Sequence, residues 1–237
     1  MKNLIIILLL ALVSTPINAQ KIIEKNIDYK NQTIHLDVKF AENIEVKTWD
    51  KSAVYFKADL NTHEGKYLDF YELHVEEGNS RIDIVSKAEP LFEKFQEERY
   101  KKNPDNKRKY YNCGYEYEFN YTLYVPKNAT FAVSSINGNL ESELVEGDFT
   151  ADLINGNIEI KKYVGNLDLS TINGEIDLKM INTDLVAETI HGNIYADEKL
   201  SFKTTDRHVG QKVEGHFNNA ASRLRLNTIN GNMYLRL

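Results

Sequence analysis

Two groups of residues in this chain have types and spacings suited to chemistry. The first is basic and aromatic: Lys101, Lys102, Lys107, Arg108 and Lys109, followed at once by Tyr110 and Tyr111 and flanked by Tyr100 and Tyr115. Cations interleaved with flat rings can hold nucleic acid or an acidic glycan, because charge meets charge while the rings stack. The same composition also suits a solvated insertion between two strands, with its tyrosines lying back on the protein body. The second group is acidic, with Glu141, Glu159 and Asp177 recurring at intervals of 18 residues. If that period stacks in space, the three carboxylates form one outward column at a strand spacing of about 4.8 Å. Such a column would attract cations or a basic partner, or would keep a sticky β surface soluble by repulsion. On the opposite face Asp148 and Asp184 would flank Asn166 in the same way.

Other reactive patterns do not occur. The sequence has no Gly-x-Ser-x-Gly, no His-Glu-x-x-His, no phosphate-binding glycine loop and no Cys/His metal spacing. Its six histidines are scattered, and the nearest pair is His208 and His216. Cys113 is the only cysteine, so no intrachain disulfide can form. Trp49, beside a turn at Asp50, reads as a core or edge aromatic in preference to a ligand platform. No catalytic, cofactor-binding or metal-ligating residue is assigned, and no cofactor is implied. A formal net charge of −6 argues against nucleic acid as a general partner, since phosphate binding needs positive charge.

The elements that would position these groups follow from one recurring phrase. Ser135-Ile136-Asn137-Gly138-Asn139-Leu140 returns as Leu153-Ile154-Asn155-Gly156-Asn157-Ile158, as Thr171-Ile172-Asn173-Gly174-Glu175-Ile176 and as Thr189-Ile190-His191-Gly192-Asn193-Ile194. A last copy, Thr228-Ile229-Asn230-Gly231-Asn232-Met233, closes the chain. Gly138, Gly156, Gly174 and Gly192 are 18 residues apart, a period typical of stacked structural repeats. Halved to nine, the period places Phe131, Leu140, Phe149, Ile158, Leu167, Ile176, Leu185 and Ile194 at one apolar position, with polar residues alternating between them. That is the pattern of half-buried strands bounded by turns. An antiparallel meander with Asn-Gly hairpins and a coiled solenoid both fit nine-residue strands. The apolar Ile136, Ile154, Ile172 and Ile190 favour the solenoid, because a buried corner would stack them in one column. The expected fold is therefore all-β: a parallel β-solenoid (β-helix) of 18-residue rungs over 126–237, right-handed as parallel crossovers are by default. An irregular excursion interrupts it at 201–222, and the spacing from Gly192 to Gly231 widens to 39.

Residues 20–125 read as a β-rich part of antiparallel character. Alternating segments occur at Thr33 to Phe40, Asn43 to Thr48, Ala53 to Leu60, Tyr71 to Val75 and Arg81 to Val85. A helical or loop insertion near 87–117 begins at Pro90 and places Leu91, Phe92 and Phe95 on one face. Residues 1–19 form a third segment. Met1-Lys2-Asn3 is a basic start, Leu4 to Val13 is wholly apolar, and the segment ends on the small residue Ala19. This is the layout of a secretory signal peptide cleaved before Gln20. Its loss would leave a chain with no membrane span, exported to the periplasm or the cell surface.

The run Tyr121 to Phe131, followed by Ser135-Ile136-Asn137-Gly138-Asn139-Leu140 and further Gly-led strands, resembles the bacterial "putative adhesin" families, including the head GIN type. The resemblance covers 120–237 well and 32–85 more loosely; 87–117 and 201–222 depart from it. It implies a β-solenoid domain of exported proteins, and it offers no catalytic motif to transfer. The expected function is a non-enzymatic binding or scaffold protein of the envelope, with an envelope protein or a glycan as partner. A glycan-active enzyme on a β-helix and an envelope-stress accessory protein are the alternatives.

Overall fold

The structure, a computed structural model, describes residues 20–102, 117–181, 183–200, 202–206, 209–215 and 222–237. In chain order the first half contributes β1 (Gln20–Asp28), β2 (Thr33–Val38), β3 (Phe40–Trp49), β4 (Ala53–Thr62), β5 (Glu72–Glu77) and β6 (Arg81–Lys87). The helix α1 (Glu89–Lys102) follows, and then β7 (Tyr117–Pro126), β8 (Ala129–Ser142) and β9 (Val145–Asn155). Next come β10 (Ile158–Ile160), β11 (Tyr163–Val164), β12 (Leu167–Asn173), β13 (Ile176–Lys179), β14 (Asp184–His191) and β15 (Ile194–Ala196). The chain ends with β16 (Lys203–Asp206), β17 (Gln211–Gly215), β18 (Arg223–Asn230) and β19 (Met233–Arg236).

Among the described residues the fold is all-β apart from α1 and two short turns of 3-10 helix. Strand pairing makes two long rows that share β8. One row runs β5-β6-β2-β8-β9-β12-β18-β14-β17-β16. The other runs β1-β4-β7-β3-β8-β10-β13-β19-β15. Their inward side chains form one core that includes Ile34, Leu36, Phe56, Leu123, Phe131, Phe149, Leu169 and Leu224. Full burial of an aliphatic or aromatic side chain of this size is worth about 1.5–3 kcal/mol. Phe131 and Phe149, one repeat apart, also stack with centroids 4.5 Å apart, an arrangement worth about 0.5–1.5 kcal/mol beyond the burial.

The expected parallel β-solenoid is corrected on two counts. First, the sheet is mixed: β1–β4, β4–β7, β5–β6, β14–β17 and β16–β17 are antiparallel and lie towards the ends of the rows. The interior pairings are parallel, and they include β2–β6 and β3–β7 of the half expected to be antiparallel. Second, spatial order departs from sequence order. The 18-residue offset appears as parallel register where Phe149 pairs with Leu167 and Ile158 with Ile176. The next neighbour of Leu167, however, is Leu224, and Leu185 pairs with the far side of Leu224. The closing copy of the phrase is thus inserted between the third and fourth copies.

The phrase itself points differently from the sequence expectation. Strand alternation continues through it, so Ser135, Thr171, Thr189 and Thr228 are buried and the isoleucine after each faces outward. Ile136, Ile154, Ile172 and Ile190 are 36–46% exposed, not a buried corner. The inward hydroxyls have a task that an isoleucine could not perform. Thr171 Oγ1 donates to Gly156 O at 2.9 Å, Thr228 Oγ1 to Gly174 O at 3.0 Å and Thr189 Oγ1 to Gly231 O at 3.2 Å. Each satisfies a backbone carbonyl at the bend. Glycine is required there because the neighbouring backbones nearly touch: a Cβ on Gly174 would lie 1.9 Å from Gly156 O.

Candidate binding surface

The basic group divides between described and undescribed residues. Pro90 sits in the first turn of α1, where its missing N–H costs nothing, and Leu91, Phe92 and Phe95 are buried beneath the helix. Phe92 meets Phe40 edge-on at 4.7 Å, and Phe95 meets Tyr67 at 4.9 Å. Lys39 Nζ holds Glu89 Oε1 at 2.8 Å. Burial raises the Glu89 carboxyl, but the hydrogen bond from Lys39, a backbone hydrogen bond at Glu89 and the charges of Lys39 and Lys87 together leave the carboxyl below its ordinary value. Lys101 and Lys102 are exposed in the last turn, where positive charge complements the helix dipole, and Lys102 Nζ lies 2.9 Å from Glu98 Oε1. Lys107, Arg108, Lys109, Tyr110, Tyr111 and Cys113 lie outside the described residues, as do His208 and His216.

Glu141, Glu159 and Asp177 stand side by side, each paired in register with the next. Glu45 extends the column at one end and Tyr234 and then Tyr195 at the other. The carboxylates are partly neutralised. Arg236 grips Asp177 with Nε and Nη2 at 2.7 and 2.6 Å, Lys47 Nζ meets Glu45 Oε1 at 2.5 Å, and Asn43 Nδ2 donates to Glu141 Oε1 at 2.7 Å. Lys161 and Glu143 bond in the adjacent column. No three His, Cys, Asp or Glu among the described residues are grouped to hold a metal ion. The expected flanking of Asn166 by two aspartates is corrected. Asp148 accepts from Asn166 Nδ2 at 2.8 Å on one side, but Arg223 of the inserted strand stands between Asn166 and Asp184.

Trp49 belongs to an aromatic cluster beside its turn. Its ring lies 4.9 Å from that of Tyr124, and Nε1 donates to Ala53 O at 2.7 Å. Lys51 Nζ caps the indole at 4.5 Å.

Sequence reasoning missed the aromatic end of the outward column. Tyr195 and Tyr234 follow Gly192 and Gly231 by three residues, the same step that separates Glu141 from Gly138. That step was the available signal. Their adjacency depends on the inserted copy. The rings stack at 5.4 Å and 14°. Asn193 Nδ2 donates to Tyr195 Oη at 3.3 Å, and Asn232 Nδ2 donates to Tyr234 Oη at 3.4 Å and to Glu175 Oε1 at 3.0 Å. Beside Tyr234 a shallow groove is lined by Asn157, Glu159, Glu175, Asp177 and Arg236. Among the described residues no helix is long and apolar enough to cross a membrane.

No protein-family model matches the sequence. No curated protein matches it either. Solved structures do. A "putative cell adhesion protein" from Clostridium sporogenes is similar over 92% of this chain and 99% of its own, with a TM-score of 0.59 at 10% identity. A "putative adhesin" from Bacteroides fragilis covers 91% of this chain and 97% of its own, with a TM-score of 0.31 at 9% identity. At these identities the likeness to the Clostridium protein concerns the fold alone.

Proposed function

We propose that this chain is an exported, non-enzymatic binding protein of the bacterial envelope or surface, adhesin-like in role. The observation that carries the reading is the set of outward columns. Successive 18-residue repeats bring like residues into register, with Asn137, Asn155 and Asn173 in one column and Glu141, Glu159 and Asp177 in another. A surface built this way presents the same groups many times along one direction, which suits repeated weak contacts with an extended partner. Two further points support it: the leader-like character of residues 1–19 and the adhesion-protein description of the Clostridium structure with the same fold. Lys101 and Lys102 in the last turn of α1, with Lys107, Arg108, Lys109, Tyr110 and Tyr111 that follow them in the sequence, remain a second proposed contact region.

Expression of the full chain with a C-terminal tag tests this reading. The expected result is a product that begins at Gln20, lies in the envelope or culture fraction, and cross-links to an envelope component. An uncleaved product in the cytosol, or an exported one that captures nothing from envelope extracts, would overturn it.

A further inference from the structure

The outward column changes chemistry along its length, from Glu45, Glu141, Glu159 and Asp177 to Tyr234 and Tyr195. At the tyrosine end the column finishes in a stacked aromatic pair. The two rings are nearly parallel, each hydroxyl accepts from an asparagine two residues earlier, and Arg236 Cζ lies 5.4 Å from the Tyr234 centroid. Tyr195 is 51% exposed; among the described strands β15 pairs with β19 alone, and on its other side Gln211 Oε1 accepts from Ile194 N at 2.9 Å, which leaves the Tyr195 ring half exposed beyond the stack.

We propose that Tyr195, Tyr234 and the amides and carboxylates beside them form a subsite for a neutral, hydroxyl-rich glycan. The proposal rests on the envelope-binding reading above and deepens it. A pyranose ring has a flat face of C–H groups that stacks on an aromatic ring, and a rim of hydroxyls that both donate and accept. Tyrosine supplies an apolar face with a polar tip, which suits the first requirement. Amides donate and accept while carboxylates accept, which suits the second, and Asn193, Asn232 and Glu175 stand next to the rings. Uronates and sulfated sugars are disfavoured, since Glu159, Glu175 and Asp177 line the groove and Arg236, the one cation among its described lining residues, is already engaged by Asp177. Stacking of the two rings on each other restricts them before binding, which lowers the rotamer freedom lost when a ligand arrives.

The test applies the chain from Gln20 onward to an array of neutral and acidic oligosaccharides, alongside capture by envelope fractions. The expected result is binding to neutral glycans alone. Tyr195→Ala should weaken that binding at least about tenfold, while Tyr195→Phe, which keeps the ring face and loses only the hydroxyl, weakens it less, and both variants melt like the parent. Capture by envelopes with no neutral glycan bound, or with Tyr195→Ala as good as the parent, overturns the subsite and leaves the envelope reading standing. Capture by neither overturns both.

Discussion

Asn155 donates its side-chain amide to Oδ1 of Asn137, 3.0 Å away and one repeat earlier in the chain. Asn173 does the same to Asn155 at 2.8 Å, and Asn230 of the inserted strand does so to Asn173 at 2.8 Å. The asparagines thus form a unidirectional amide chain along the outside of the bend, beside the glycines whose backbones nearly touch. The two residue types stabilise the same bend by different physics: one adds exposed hydrogen bonds and the other removes a steric obstacle.

Asn155→Ala therefore deletes two exposed hydrogen bonds and should cost about 1–2 kcal/mol. Gly174→Ala places a methyl group 1.9 Å from Gly156 O and should cost more than about 3 kcal/mol or prevent folding. Urea denaturation of both variants checks the order. Equal losses would mean that the close approach of the backbones is relaxed in solution.

The inserted copy makes a second, geometric prediction. Thr171 and Asn173 pair with one side of Thr228 and Asn230, and Thr189 and His191 with the other, so Ile229 stands between Ile172 and Ile190, which are separated by a whole strand. In a Cys113→Ser background, Ile172→Cys with Ile229→Cys should cross-link under mild oxidation. Ile172→Cys with Ile190→Cys should not, because two strand spacings of about 4.8 Å exceed the reach of a disulfide. The reverse result, read by mass spectrometry, would restore the simple sequence order.

That order was the part of the fold least visible in the sequence. The period of 18, the alternation of Phe131, Leu140, Phe149 and Ile158, and the helix start at Pro90 were all legible because they are local patterns. Local patterns do not report which copies become neighbours, and nothing in the 39-residue spacing to Gly231 reveals that this copy returns between two earlier ones. The direction of the isoleucines was misread for a different reason. Apolar character suggested burial, whereas Thr171 and Thr228 are needed inside to bond the carbonyls of Gly156 and Gly174. The tyrosine pair was hidden by the first effect, since Tyr195 and Tyr234 meet only after the insertion.

Alkaline pH offers a third test. Burial pushes the phenol of Tyr163 up to about 12, above its ordinary value of 10.0. A group whose pKa is raised on folding contributes stability that is fully present below the unfolded value and is lost as pH rises through the folded one. Stability should fall between pH 10 and about 12, and less steeply in Tyr163→Phe, when denaturant midpoints are compared across that range. Parallel curves for the two proteins would mean that Tyr163 is open to solvent.

The proposed role rests on a repeat scaffold whose outward columns bind the envelope. Quantitative capture of the chain from Gln20 onward by isolated envelopes, with melting temperature measured on the same samples, tests it most directly. Outward substitutions such as Tyr195→Ala, Ile172→Ser and Glu159→Gln, combined in one protein, should abolish capture and leave the melting temperature within a few degrees of the parent. Capture that persists at full strength in the combined variant would contradict the claim.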